Sequence, residues 1–302
     1  MEAAMEKKNM EIQAINHQTI GQRLKSYKRS PLSLVLLLLV SVSALLTVLT
    51  LLFLIAYILI KGIPYLTPSL FAWEYTTENV SLMPALINTI LMTALSLVIA
   101  VPLGIFAAIY LVEYARRGNK IVEIVRITAE TLTGIPSIVY GLFGFLLFGV
   151  ALKWGYSMLG GALTLAIMIL PTIMRTTEEA LKSVPDSYRE GSFGLGAGRL
   201  RTVFQVVLPS AVPGILAGVI LAVGRIVGET AALMYTAGTV AGIPANIMGS
   251  ARTLSVHMYV LTNEGLYTNQ SYATAVVLLV IVVLINALSG FIAKKITGKG
   301  IG

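Results

Sequence analysis

The chain has 302 residues, of which 56% are hydrophobic and 12% are charged, about half the charged fraction of ordinary soluble domains. It contains no cysteine, which excludes disulfide bonds, thiolate metal sites and cysteine nucleophiles. A net charge of +8 would suggest nucleic-acid binding in a soluble protein, but membrane proteins also concentrate Lys and Arg on their cytoplasmic side. The composition therefore predicts an all-α integral membrane protein.

The first segment, residues 1–31, is polar and basic and is predicted to be a cytoplasmic N-terminal tail. Residues 32–60 then contain no charged side chain. This run is too long for the core of a signal peptide and has no cleavage site at its end, so it is predicted to be a retained membrane span. The rest of the chain, 32–302, is predicted to form one transmembrane domain.

Five further hydrophobic segments follow, at about 85–112, 128–151, 157–174, 210–235 and 272–293. Six spans place both termini on the same side of the membrane. Of the 22 Lys and Arg residues, 18 fall in the two tails and the two loops on that side, against three on the other. Because positive charge collects inside, both termini are expected to be cytoplasmic.

The polar loop 175–209 is the most informative segment outside the spans. Pro185 ends the preceding helix, and Ser187 with Glu190 has the spacing of a capping box, which predicts a short new helix. Glycines at 191, 194, 196 and 198 are expected to end that helix. A short helix held outside the membrane between two spans suits the docking of a soluble partner.

This loop resembles the EAA loop of ABC-importer permeases, whose pattern is E-A-A-x3-G-x9-I-x-L-P. The matching residues are Glu190, Gly196, Val206, Leu208 and Pro209, while Gly191 and Ser192 replace the two alanines. The resemblance implies a type I permease fold in which Ser187, Glu190, Gly196, Leu208 and Pro209 couple the chain to a separate ATPase. The loop lacks the G-K-[ST] ending of a phosphate-binding loop, so no nucleotide site is predicted in it.

The fifth span carries two charged residues, Arg225 and Glu229, at the spacing of one helical turn. Charges at this depth are costly unless they are paired or hydrated. Two hypotheses follow: the pair ties the helices together, or it lines a polar path on which Gly224 and Gly228 allow close approach.

The segment around Arg225 resembles the G-E-T signature of phosphate-importer permeases of the PstA type, and the resemblance extends over nearly the whole chain. It implies a multi-pass subunit of a prokaryotic cell membrane, with Arg225, Glu229 and Thr230 on the path of inorganic phosphate. It also implies a PstC-like second permease, two PstB-like ATPase subunits and a PstS-like extracytoplasmic phosphate-binding protein.

A permease for a related oxyanion, molybdate or sulfate, is the alternative function. An ATP-independent channel and a membrane-embedded enzyme are disfavoured by the EAA-like loop and by the lack of a catalytic grouping in the sequence. No cofactor and no metal site are predicted. Glu178 and Glu179 are expected on a solvated face, and His257 is expected to be an ordinary polar residue in an outer loop.

Overall fold

The computed structural model of the protein describes residues 31–116 and 118–298. The predicted N-terminal tail, apart from Pro31, lies outside these residues. All regular elements in the described residues are helices: α1 Pro31–Gly62, α2 Met83–Tyr114, α3 Lys120–Thr133, α4 Ser137–Ala151, α5 Met158–Lys182, α6 Asp186–Gly194, α7 Arg199–Gly228, α8 Ala231–Thr236, α9 Leu254–Glu264 and α10 Thr268–Gly298. Short 3₁₀ turns follow α1 at Ile63–Tyr65 and Pro68–Phe71.

The chain divides into two compact units at Tyr57, and most of α1 belongs to the first. Helix α1 has 32 residues and no acidic residue in its first turn. At 1.5 Å per residue it is roughly 48 Å long, enough to cross a hydrocarbon core of about 30 Å. Its apolar side chains can face lipid because the helix satisfies its own backbone hydrogen bonds.

Five helices in the described residues are long and apolar enough to cross a membrane: α1, α2, α5, α7 and α10. The pair α3 and α4 becomes a sixth span if it is counted as one. The structure thus agrees with the predicted number of spans, but the boundaries differ at the third and fifth of them.

The third predicted span, 128–151, is bent, because α3 and α4 meet at an angle of 104°. Pro136 precedes the first residue of α4 and has an extended backbone, with φ −58° and ψ 141°. Proline disfavours helical geometry in the residue before it and lacks an N–H group, so the helix breaks here. The Tyr140 hydroxyl donates a hydrogen bond of 2.8 Å to the Leu132 carbonyl, which stabilises the bend.

A buried apolar core joins α2, α5 and α7 within the second unit. Met92 of α2, Leu165 and Ile169 of α5, and Ile226 of α7 are all buried there. The helices approach closely at glycines, as small residues permit in membrane helices. At Gly104 of α2, a Cβ atom would lie 2.7 Å from the side chain of Ile173, so any larger residue would push α2 and α5 apart.

Candidate transport path and coupling segment

Helix α7 ends immediately after its charged turn. Its last residue is Gly228, and Glu229 has an extended backbone with φ −71° and ψ 127°. Of the two hypotheses for Arg225 and Glu229, the one in which an ion pair between them ties the helices is therefore contradicted. The two residues form no ion pair within the described chain, because Glu229 no longer follows the helical path on which Arg225 lies.

Glu229 instead organises the break between α7 and α8. Its Oε1 accepts a hydrogen bond of 3.1 Å from the Ala232 backbone N–H, and its carbonyl accepts one of 2.6 Å from the Ser255 hydroxyl. A carboxylate that accepts an N–H in the first turn of a helix satisfies a group with no intrahelical partner. Glu229 is 9% exposed, so it acts here as a buried helix cap.

Arg225 lies on an uncovered face of α7. This face also carries Leu221, Gly224 and Gly228, at helical spacing. Leu221 is 61% exposed, and a Cβ atom at either glycine would meet nothing within 4 Å. Arg225 is half-buried and lies close enough to Tyr140 to interact with it electrostatically. No carboxylate in the described residues pairs with its guanidinium.

Thr230 follows Glu229 at the break, where it precedes α8 with φ −120°. Its hydroxyl lies 3.4 Å from the Gly228 carbonyl, a long and weak hydrogen bond. The structure therefore brings Arg225, Glu229 and Thr230 to the same helix end, but gives the first two different surroundings.

The short helix predicted outside the spans is present as α6, and it begins one residue before Ser187. Pro185 precedes it, and no side chain caps its first turn. The predicted capping box between Ser187 and Glu190 is therefore not formed, and both side chains are exposed. Asp186 in the first turn interacts favourably with the helix dipole instead.

The loop after α6 turns at Gly196, whose φ is +82°. Glycine adopts this left-handed geometry at little cost. Gly191, by contrast, lies inside α6 and does not end it. Tyr188, Phe193, Leu195 and Leu200 are exposed along this segment, and Leu195 is 91% exposed.

Leu208 and Pro209 lie within α7, after a π-helical turn at Val203–Val207. The Leu208 N–H donates to the Val203 carbonyl five residues earlier. Pro209 has no N–H to donate, and a wider turn before it accommodates that loss. We define the coupling segment as residues 185–202. Leu208 is half-buried against the apolar cluster that lies beneath this segment.

Arg189 of α6 ties the coupling segment to the rest of the chain. Its guanidinium donates to Glu113 of α2, with the shortest contact 2.8 Å, and to the carbonyls of Leu181 and Val184 at 2.9 Å and 2.8 Å. The hydrogen bonds to Glu113 raise the pKa of Arg189 above its usual value. No local pattern predicts this contact, because 76 residues separate the two partners.

Glu178 is buried between two cations, which corrects the expectation of a solvated side chain. Its Oε1 lies 2.5 Å from Arg126 of α3 and 2.6 Å from Lys182. Glu179, in contrast, is 65% exposed, as expected. Arg126 and Lys182 also line an open cleft of about 1040 Å³ between the end of α2, α3 and α6.

His257 is fully buried in α9, so its predicted position in an outer loop is wrong. Its ring lies edge-on to that of Tyr75, with 6.1 Å between the ring centroids. The Arg252 guanidinium lies over the Tyr75 ring, 4.9 Å from its centroid. Burial, and then the charge of Arg252, lower the pKa of His257 to about 3. The side chain is therefore neutral at physiological pH.

Residues 100–298 match the family described as "Binding-protein-dependent transport system inner membrane component". The chain is 34% identical over 273 residues to the probable ABC transporter permease protein YqgI of Bacillus subtilis (strain 168), covering 82% of this chain and 91% of that protein. It is 36% identical over 217 residues to the phosphate transport system permease protein PstA 1 of Mycobacterium tuberculosis (strain CDC 1551 / Oshkosh), covering 70% and 71%.

The fold is also similar to solved structures. A chain of a bacterial alginate ABC transporter, in complex with an alginate pentasaccharide-bound periplasmic protein, superposes with a TM-score of 0.67 at 17% identity, over 90% of this chain and 97% of that one. At this identity the similarity concerns the fold, which is that of type I importer permeases. With two thirds of its length matched by the family, the chain is an inner membrane component of a binding-protein-dependent transport system.

Proposed function

We propose that this chain is the PstA-type permease subunit of an ATP-driven importer of inorganic phosphate. It forms half of the translocation path, and a PstC-like permease supplies the other half. Two PstB-like subunits hydrolyse ATP, and a PstS-like protein delivers phosphate from outside. The relatives named for phosphate transport support the substrate, and the family supports the division of work among subunits.

The observation that carries this proposal is the environment of Arg225. A guanidinium within a span is expensive unless an anion or water compensates it. Here it lies on an open face beside two glycines, with no carboxylate paired to it in the described residues. Its planar fork of N–H donors matches the oxygens of a tetrahedral oxyanion.

Glu229 and Thr230 contribute to the same path from the end of the helix. Glu229 holds the break open by capping α8, so that α7 ends beside Arg225. The second carboxylate oxygen and the Thr230 hydroxyl can hydrogen-bond a protonated phosphate, which carries an O–H that fully ionised sulfate lacks. In this proposal the carboxylate selects among anions without neutralising the arginine.

The exposed apolar residues of the coupling segment support docking to the ATPase. Tyr188, Phe193 and Leu195 are exposed on one short segment outside the spans, and several exposed apolar side chains close together are typical of a protein–protein contact. Glu190 and Gly196 are on the same exposed segment, and Leu208 and Pro209 follow it within α7.

Substitutions at Arg225 test the path in cells that rely on this complex for phosphate. Arg225→Ala is expected to abolish uptake of labelled phosphate, and Arg225→Lys to restore little because the fork is lost. Glu229→Gln keeps an oxygen that can accept the Ala232 N–H, so it is expected to assemble normally and to change anion preference. Full phosphate uptake by assembled Arg225→Ala would contradict the proposed path.

A further inference from the structure

Two arginines of the coupling segment contact the C-terminal end of α2. Arg189 donates to Glu113, and the guanidinium of Arg199 lies over the ring of Tyr114, 5.7 Å from its centroid. Glu113 and Tyr114 are adjacent in the π-helical turn Tyr110–Tyr114 that ends α2. Single π turns in helices are found frequently at functional sites.

The contact between Arg189 and Glu113 is largely shielded from solvent. Its side chains are 15% and 9% exposed, respectively. Arg189 also donates to Asp186 at 3.1 Å, and with the two carbonyls at the end of α5 its donors are nearly all used. A guanidinium held by a carboxylate and by carbonyls from different helices fixes their relative positions. A movement of α6 must therefore either break this contact or move α2 with it.

The opposite end of α2 holds the segment between α8 and α9. The Asn88 amide donates to the carbonyls of Gly242 and Arg252 at 3.0 Å and 3.1 Å. The Thr89 hydroxyl accepts a hydrogen bond of 2.8 Å from the Leu254 N–H. Asn88 and Thr89 are both buried, so these hydrogen bonds are not weakened by exchange with water.

Residues 88 and 113 lie roughly 38 Å apart along α2 at 1.5 Å per residue. Between them, Met92, Ala100 and Ala108 are fully buried, and Gly104 packs directly against Ile173 of α5. Closely packed helices move as units over each other, because their side chains interdigitate. Helix α2 thus connects the coupling segment with residues 237–253.

From these contacts we infer that Arg189 and Glu113 are positioning residues through which the coupling segment moves α2, and that α2 transmits this movement to residues 237–253. The inference rests on the proposed function, since it requires an ATPase that moves α6. In this inference, α2 makes residues 237–253, at the far end of the helix, respond to ATP hydrolysis. The coupling segment alone does not reach these residues.

The test uses the full complex reconstituted in proteoliposomes, with a spin label on Ala245→Cys. Ala245 is exposed in the segment held by Asn88, and the chain has no other cysteine. Two quantities are measured: the phosphate carried per ATP hydrolysed, and the ATP-dependent change in label mobility. The variants are Glu113→Gln, Arg189→Lys and their combination. Glu123→Gln is the matched control, because this exposed glutamate forms no ion pair in the described chain.

Glu113→Gln is expected to assemble and to hydrolyse ATP. The phosphate that it carries per ATP is expected to fall at least about fivefold, and the ATP-dependent change in label mobility is expected to be lost. The combined variant is expected to be no worse than Arg189→Lys alone, since Glu113→Gln removes only a contact that Arg189→Lys already weakens. Glu123→Gln is expected to behave as the unsubstituted complex.

A normal transport ratio and label response in assembled Glu113→Gln would overturn the inference. Failure of both Glu113→Gln and Arg189→Lys to assemble would overturn it too, because the contact would then be needed only for folding. A complex that responds to ATP at Ala245 through Glu113 but carries no phosphate would contradict the proposed substrate and support the role of α2.

Discussion

At the scale of single residues, His257 combines complete burial with a neighbouring cation. Because its pKa in the folded protein is lowered to about 3, while an unfolded histidine titrates near 6.5, protons bind the unfolded chain preferentially between these values. Its contribution to stability is therefore complete above about pH 6.5 and is lost as the pH falls toward 3. At pH 4 the expected loss is on the order of 3 kcal/mol.

The measurement is the melting temperature of the purified protein in detergent from pH 7 to pH 4, compared with His257→Leu. The leucine variant lacks the titrating group, so its melting temperature is expected to fall less steeply. Parallel pH profiles for the two proteins would show that His257 does not cause the acid sensitivity.

Local sequence predicts some features of the charged residues but not their contacts. A charge in a hydrophobic run is rare and usually functional, and this alone makes Arg225 a candidate path residue. An ion pair of Arg225 with Glu229 would require the helix to continue through both residues. Gly228 ends the helix instead, and Glu229 caps the next one. Spacing predicts contacts only while the helix lasts, and the contact of Arg189 with Glu113 has no local signature.

At the scale of elements, the turn after α6 depends on the backbone of Gly196. No atom lies within 4 Å of a Cβ placed there, so the restriction is its φ of +82° and not a lack of space. Gly196→Ala is therefore expected to destabilise the protein by about 1–2 kcal/mol and to reduce co-purification of the ATPase subunit.

Gly191→Ala is the matched control, since its Cβ also meets nothing within 4 Å but its backbone is helical. Alanine in a helix is favoured over glycine by about 1 kcal/mol, so this variant is expected to be at least as stable as the parent. Equal effects of the two substitutions, seen in thermal unfolding, would refute the argument from backbone geometry.

The elements also differ in how well they could be predicted. Long runs without charged residues predict the positions of α1 and α10 closely, because hydropathy alone defines such spans. The hydrophobic run 128–151 predicts one span by its hydropathy, and Gly134 and Pro136 lie inside it. They are in fact the break that bends α3 against α4 by 104°. Hydropathy does not indicate the direction of a helix axis, so the bend is visible only in the structure.

At the scale of the whole molecule, the orientation in the membrane is predicted from charge. Single cysteines at Thr77 and Thr268 are expected to react with an impermeant reagent from outside, whereas those at Ser26 and Ser187 are not. The structure supports grouping the first two positions, since the Tyr267 hydroxyl donates to the Thr77 carbonyl at 2.7 Å. Labelling of Ser187→Cys in intact cells would contradict cytoplasmic termini.

The most direct test of phosphate import by this chain is ATP-driven transport by the purified complex. This chain is reconstituted with a PstC-like permease, the ATPase and the binding protein, and uptake of labelled phosphate is measured with sulfate or molybdate in excess. We expect phosphate uptake that requires ATP, is unaffected by either competitor and is absent with Arg225→Ala. Uptake of sulfate or molybdate in preference to phosphate, or phosphate uptake without ATP hydrolysis, would contradict it.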